Sequence, residues 1–134
     1  MASSSNLNLE EIARKLLVSS DVEEMLQLTT TIRERIEIVH TSEFPNFLSH
    51  LFPCFKAILT TKVQPQLVDG PENKLRHTVL EILNRLPNND SLRPYVPALL
   101  ALAMGVLAAD GEGNGLVALR VVFDLHKNYR PQLE

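Results

Sequence analysis

The chain has 134 residues, of which 45% are hydrophobic and 22% charged, a balance that supports a buried core and excludes disorder throughout. Its single cysteine, Cys54, excludes an internal disulfide framework and suits a reducing compartment. The net charge is −3: residues 1–44 hold eight acids and four bases, and residues 45–134 hold eight acids and nine bases, with no basic stripe to neutralise phosphates.

That distribution argues against direct nucleic-acid binding. The polar start, MASSSNLNLEE, lacks the apolar core of a secretory signal. The longest apolar stretch, Val96 to Ala109, is too short to span a bilayer and contains Pro97 and Gly105. The expectation is a soluble, intracellular chain with no membrane contact. Leucine dominates, aromatics are 5% and tryptophan is absent, which favours helix over sheet.

In chain order, Asn8 followed by Glu11 has the spacing of a capping box and predicts a helix to about Leu17. Ser20–Asp21 opens a second. There Val22, Met25, Leu28, Ile32, Ile36 and Val39 recur at steps of three and four, forming one apolar stripe that should end near His40. A third helix begins near Pro45, where a missing N–H is harmless, and runs to about Thr60. Pro53 lies inside it and predicts a kink or two short helices.

Val63 to Gly70 reads as a loop. Asp69 with Glu72, and Pro71 in the first turn, start a fourth helix whose stripe is Leu75, Val79, Ile82, Leu83 and Leu86, stopped by Pro87. A fifth runs from Ser91 or Pro94 to Ala109. A glycine-rich turn (Gly111, Gly113, Gly115) leads to a sixth, about Leu116 to Asn128, ended by Pro131.

A shift of 44 residues lays Phe52–Pro87 on Val96–Pro131 without a gap, pairing Pro53 with Pro97, Leu75 with Leu119, Arg76 with Arg120 and Pro87 with Pro131. Two-helix repeats of this length are the signature of HEAT or armadillo arrays. The expected architecture is therefore an all-α, HEAT-like helical-repeat solenoid of about three helix pairs. Residues 1–43 form an acidic N-terminal helix pair, and 44–134 two repeats of 44-residue period. The sixth helix carries more apolar positions than one stripe can bury, so Val121, Val122 or Leu125 should be exposed, a face for self-association, a partner or a following repeat.

Chemistry is sparse. His50 and Cys54 are four apart and would share a helix face, but two ligands do not complete a zinc site. His40, His77 and His126 lie on separate helices without a neighbouring nucleophile, and read as surface or partly packed imidazoles. The Gly111–Gly115 segment lacks the lysine and hydroxyl residue that follow the last glycine of a phosphate loop. Asp69, Glu72, Asp90 and Asp110 sit near helix ends, where capping explains them. Arg76 and Arg120 read as bonds between repeats rather than a basic seam for a partner. No catalytic, cofactor-binding or metal-binding residue is assigned, no cofactor is expected, and the protein-binding residues stay unknown.

The runs Phe44-Pro45-Asn46-Phe47-Leu48-Ser49-His50-Leu51-Phe52-Pro53 and Lys74-Leu75-Arg76-His77-Thr78-Val79-Leu80-Glu81-Ile82-Leu83-Asn84-Arg85-Leu86-Pro87 resemble the N-terminal HEAT-repeat region of the TRRAP family. Leu92-Arg93-Pro94 and the stretch from Leu119 to Pro131 continue the likeness in order. These are transcription-coactivator pseudokinases of the phosphatidylinositol-3-kinase-related group. The resemblance implies a nuclear, non-catalytic scaffold of SAGA-type and NuA4-type histone acetyltransferase complexes, with transcription activators or complex subunits as partners. The alternative is an independent helical-repeat adaptor in transport or phosphatase assembly.

Overall fold

The computed structural model describes residues 8–65 and 70–133. Over them the fold is all-α, with no strand: α1 (Leu9–Val18), α2 (Val22–Glu34), α3 (Phe44–Ala57), α4 (Pro71–Asn84), α5 (Val96–Ala109) and α6 (Glu112–Leu133). Asn8 caps α1 as expected, its Oδ1 accepting the Glu11 N–H at 3.1 Å, and Asp21 caps α2 by accepting from the Glu23 N–H at 3.0 Å. Each cap pairs a backbone donor that has no partner inside its helix. Pro71 lies in the first turn of α4. The cap expected from Asp69 lies outside the described residues.

Helix boundaries differ from the expectation in four places. The α-helical part of α2 stops at Glu34, and the stripe continues through a 3₁₀ turn, Ile36–His40, that still buries Val39. Helix α3 is not split at Pro53, which faces solvent; the irregularity comes later, as a π-type turn at Ile58–Lys62. Pro97 lies in the first turn of α5, where it has no earlier turn to obstruct, so it does not repeat the mid-helix setting of Pro53. Finally, α6 begins at Glu112, taking Gly113 and Gly115 into the helix, and its backbone departs from helical angles at Tyr129, two residues before Pro131.

The packing is ordered. Helix α1 lies against α3, and α2, α4 and α6 follow one another side by side, while α5 packs on α6 and touches the π-type turn. Phe44, Phe47, Leu51, Phe55, Leu75, Val79 and Ile82 are buried in the shared core, where each large apolar side chain contributes roughly 1.5–3 kcal/mol. No helix among the described residues is long and apolar enough to cross a membrane.

Burial recurs with two offsets. Buried Phe52, Phe55, Ile58 and Leu59 correspond at 44 residues to buried Val96, Leu99, Leu102 and Ala103. In α4 and α6 the match is at 43, with Leu75, Thr78, Ile82 and Leu86 corresponding to Ala118, Val121, Leu125 and Tyr129, all buried. An offset of 44 would instead set Ala118, Val121 and Leu125 against Lys74, His77 and Glu81, which are exposed or half-buried. One residue turns a helix face by about 100°, so this difference decides which side of α6 is outward.

Candidate protein-interaction surfaces

Helices α4 and α6 are joined by a connected polar network. Arg76, on α4, is 2% exposed. Its Nε and Nη2 donate to the two carboxylate oxygens of Asp110 at 2.8 and 2.6 Å, and its Nη1 donates to the carbonyls of Leu59 and Val63 at 3.1 and 2.8 Å. The planar guanidinium fork matches a carboxylate at two points. Asp110 ends α5, so one side chain ties the turn after α3 to the turn after α5.

Asn114, buried in the first turn of α6, donates to Asp110 at 2.9 Å and to Asn73 Oδ1 at 3.2 Å, and its Oδ1 lies 2.9 Å from His77 Nδ1. The other ring nitrogen of His77 is 3.5 Å from Glu81, which also accepts from Arg33 of α2 at 2.6 Å. The chain of contacts thus runs from α2 across α4 to α6. Every carboxylate in it is matched by a cation or an amide.

This places the residues singled out from sequence. Arg76 bonds neighbouring turn carbonyls, those of Leu59 and Val63, and the acidic Asp110. Arg120 does not: it is exposed and has no hydrogen-bond or ion-pair partner among the described residues. Asp110 does more than cap a helix, and Asn114 was missed because its neighbours Gly113 and Gly115 made the segment read as a turn. Cys54 and His50 do not converge on a ligand. The Cys54 thiol is buried against the Ala13 carbonyl, at 3.5 Å, and burial pushes its pKa up to about 11, which holds it protonated. Among the described residues, no three His, Cys, Asp or Glu side chains gather as a metal site.

The expectation for the outward face of α6 needs correction. Val121 and Leu125 are buried at 4% and 2%, and Val122 packs partly against the core; the exposed apolar residues are Leu116, Leu119 and Phe123, the last 64% exposed. The reason is the 43-residue phase. Val121 takes the place of Thr78, inside the packing, and Leu116, Leu119 and Phe123 take those of Asn73, Arg76 and Leu80. Two of these, Asn73 and Arg76, bond forward to the α5–α6 segment. The result is an apolar stripe at steps of three and four on the side of α6 away from α4.

A second surface is a groove of about 490 Å³ between α2, α4 and the first turn of α6, with Thr30, Arg33, Asn73, Lys74 and His77 in its lining.

No family model matches the chain, and no solved structure matches it. Curated proteins do. The chain is 49% identical over 131 residues, 96% of its length, to the Dictyostelium discoideum protein described as "Probable transcription-associated protein 1". It is 32% identical over 126 residues, 93% of its length, to human "Transformation/transcription domain-associated protein". Over 65 residues, 48% of its length, it is 34% identical to the Saccharomyces cerevisiae "SAGA complex/NuA4 acetyltransferase complex subunit TRA1". The match covers 3% of each of the first two relatives and 2% of the third. The chain belongs to the TRRAP family of transcription-associated proteins, over a stretch corresponding to a small fraction of those relatives' length.

Proposed function

We propose that the chain is a non-catalytic scaffold segment that displays stacked helix pairs to other subunits of a nuclear transcription-coactivator assembly. The pairs would be α1–α2 within residues 1–43, then α3–α4 and α5–α6. The observation that carries this reading is the outward stripe of Leu116, Leu119 and Phe123, which occupies on α6 the place from which α4 holds the next pair. Burying such a stripe stabilises an interface by roughly 25 cal/mol per Å² of apolar surface. The occupant natural to it is another helix pair of similar build.

The assembly is suggested by the yeast relative, whose description makes it a subunit of the SAGA and NuA4 acetyltransferase complexes. Acetyltransferase-complex subunits and transcription activators are the corresponding partners. A non-catalytic role is supported by the polar network, whose charged groups are taken up in pairs, Arg76 with Asp110 and Arg33 with Glu81.

The test is reciprocal purification of the chain with defined acetyltransferase-complex subunits, beside the Leu119→Asp/Phe123→Asp variant. Recovery of those subunits by the unaltered chain, reduced in the variant, is the expected result. Recovery of transport factors or phosphatase subunits in their place would favour the adaptor reading.

A further inference from the structure

Beyond the scaffold reading, we propose that the groove between α2, α4 and α6 receives a carboxylate side chain carried on an extended segment of a partner protein. The argument is an imbalance of donors and acceptors. Glu81 already accepts from Arg33 and lies beside His77, and Asp110 is held by Arg76 and Asn114. Neither of these carboxylates lines the groove, and no other Asp or Glu side chain among the described residues does, so the lining supplies no carboxylate of its own.

Donors do remain. Lys74 lines the groove, and its ammonium has no hydrogen-bond or ion-pair partner among the described residues. Asn73 uses its Oδ1 on Asn114, leaving its Nδ2 hydrogens unengaged, and the Thr30 hydroxyl has no side-chain bond. Arg33 donates to Glu81 through Nη1 alone, so the rest of its fork is available. Gly113, in the first turn of α6, adds a backbone N–H with no partner inside the helix.

Charge selects the ligand. The Arg33–Glu81 pair is neutral as a unit, so Lys74 is the uncompensated cation of the lining. One positive charge matches a carboxylate, whereas a phosphoryl group near charge −2 would find no second free cation in the lining. A carboxylate fills little of a 490 Å³ groove. The remaining space, with Leu26 on one wall and the Thr30 hydroxyl and Asn73 amide to engage peptide groups, suits the chain that bears it.

The test uses three short peptides differing at one central position (Asp, Asn or phosphoserine), titrated into the full chain and followed by amide chemical shifts. The Asp peptide should move the signals of Thr30, Asn73 and Gly113, and the Asn peptide should bind about tenfold more weakly or not at all, a ratio equivalent to about 1.4 kcal/mol. Lys74→Gln should remove that preference while leaving the thermal midpoint unchanged. Arg85→Gln, an exposed change at the residue that follows α4, should leave it intact. Equal binding of Asp and Asn peptides, a preference untouched by Lys74→Gln, tighter binding of phosphoserine, or no shift at millimolar peptide would each overturn the proposal. None of these results depends on whether acetyltransferase subunits bind elsewhere on the chain.

Discussion

Arg76 and Asp110, 34 residues apart in sequence, form a two-point ion pair whose side chains are 2% and 0% exposed. The remaining hydrogen-bonding capacity of both is largely taken up, by the Leu59 and Val63 carbonyls on one side and Asn114 on the other. Charges are tolerated away from water when they are paired and hydrogen-bonded in this way. Asp110→Ala should therefore lower unfolding free energy by about 3–5 kcal/mol, because it leaves a buried guanidinium unpaired. Replacing both residues with leucine should be less harmful than Asp110→Ala alone. Urea unfolding of the two variants checks the order.

A second expectation concerns the direction of α6. Leu125→Asp places a charge where the native side chain is 2% exposed and should cost several kcal/mol; Phe123→Asp, at a position 64% exposed, should stay within about 0.5 kcal/mol of the parent. Thermal denaturation of the pair distinguishes the 43-residue phase from the 44-residue one. Comparable losses at both positions would reject the orientation given to α6.

Self-association of the isolated chain should follow the same stripe. Leu116, Leu119 and Phe123 are exposed together on α6, and Met104 of α5 is 51% exposed. Apolar residues grouped in this manner favour contact with another surface. Sedimentation velocity across a concentration series should show association that the Leu119→Lys/Phe123→Lys variant suppresses. Association unchanged in that variant would direct attention to another face.

The Cys54 thiol makes stability sensitive to alkali. Burial raises its pKa from the model-compound value of 9.0 to about 11, with the nearby Lys62 charge opposing the shift. Above pH 9 the unfolded chain loses this proton more readily than the folded one, so the folded state binds more protons and stability falls with rising pH. The contribution is fully present below pH 9 and is lost as pH rises toward 11. Unfolding midpoints at pH 8 and 10.5 should differ more for the native chain than for Cys54→Ala. Thiol-directed reagents at pH 8 should label Cys54 only upon unfolding.

Features legible in the sequence were those set by neighbours a few residues away. The Asn8 cap spans three residues, Pro71 marks its own turn, and the stripe of Met25, Ile32 and Val39 records its buried side directly. The direction of α6 was not legible, because Leu116, Val117, Leu119, Val121, Val122, Phe123 and Leu125 cover more than one side of a helix. Only packing selects among such sides. The start of α6 was hidden for a related reason: glycine disfavours helix, yet Asn114 anchors that turn to α4 through bonds to Asn73, Asp110 and His77. The pairing of Arg76 with Asp110 lies far beyond any local pattern, and the one-residue change in phase cannot be seen while proline and leucine identities still align at 44.

The position of Arg76 also bears on how force passes between α4 and α6. Its guanidinium grips the carbonyls of Leu59 and Val63 behind it and the carboxylate of Asp110 ahead of it, all from one point on α4. Sliding α6 along α4 by one helical turn, about 5.4 Å, would break the ionic grip and strand both charges. The joint thus resists sliding of the two helices, so under a pull the α4–α6 register should hold until Arg76 lets go.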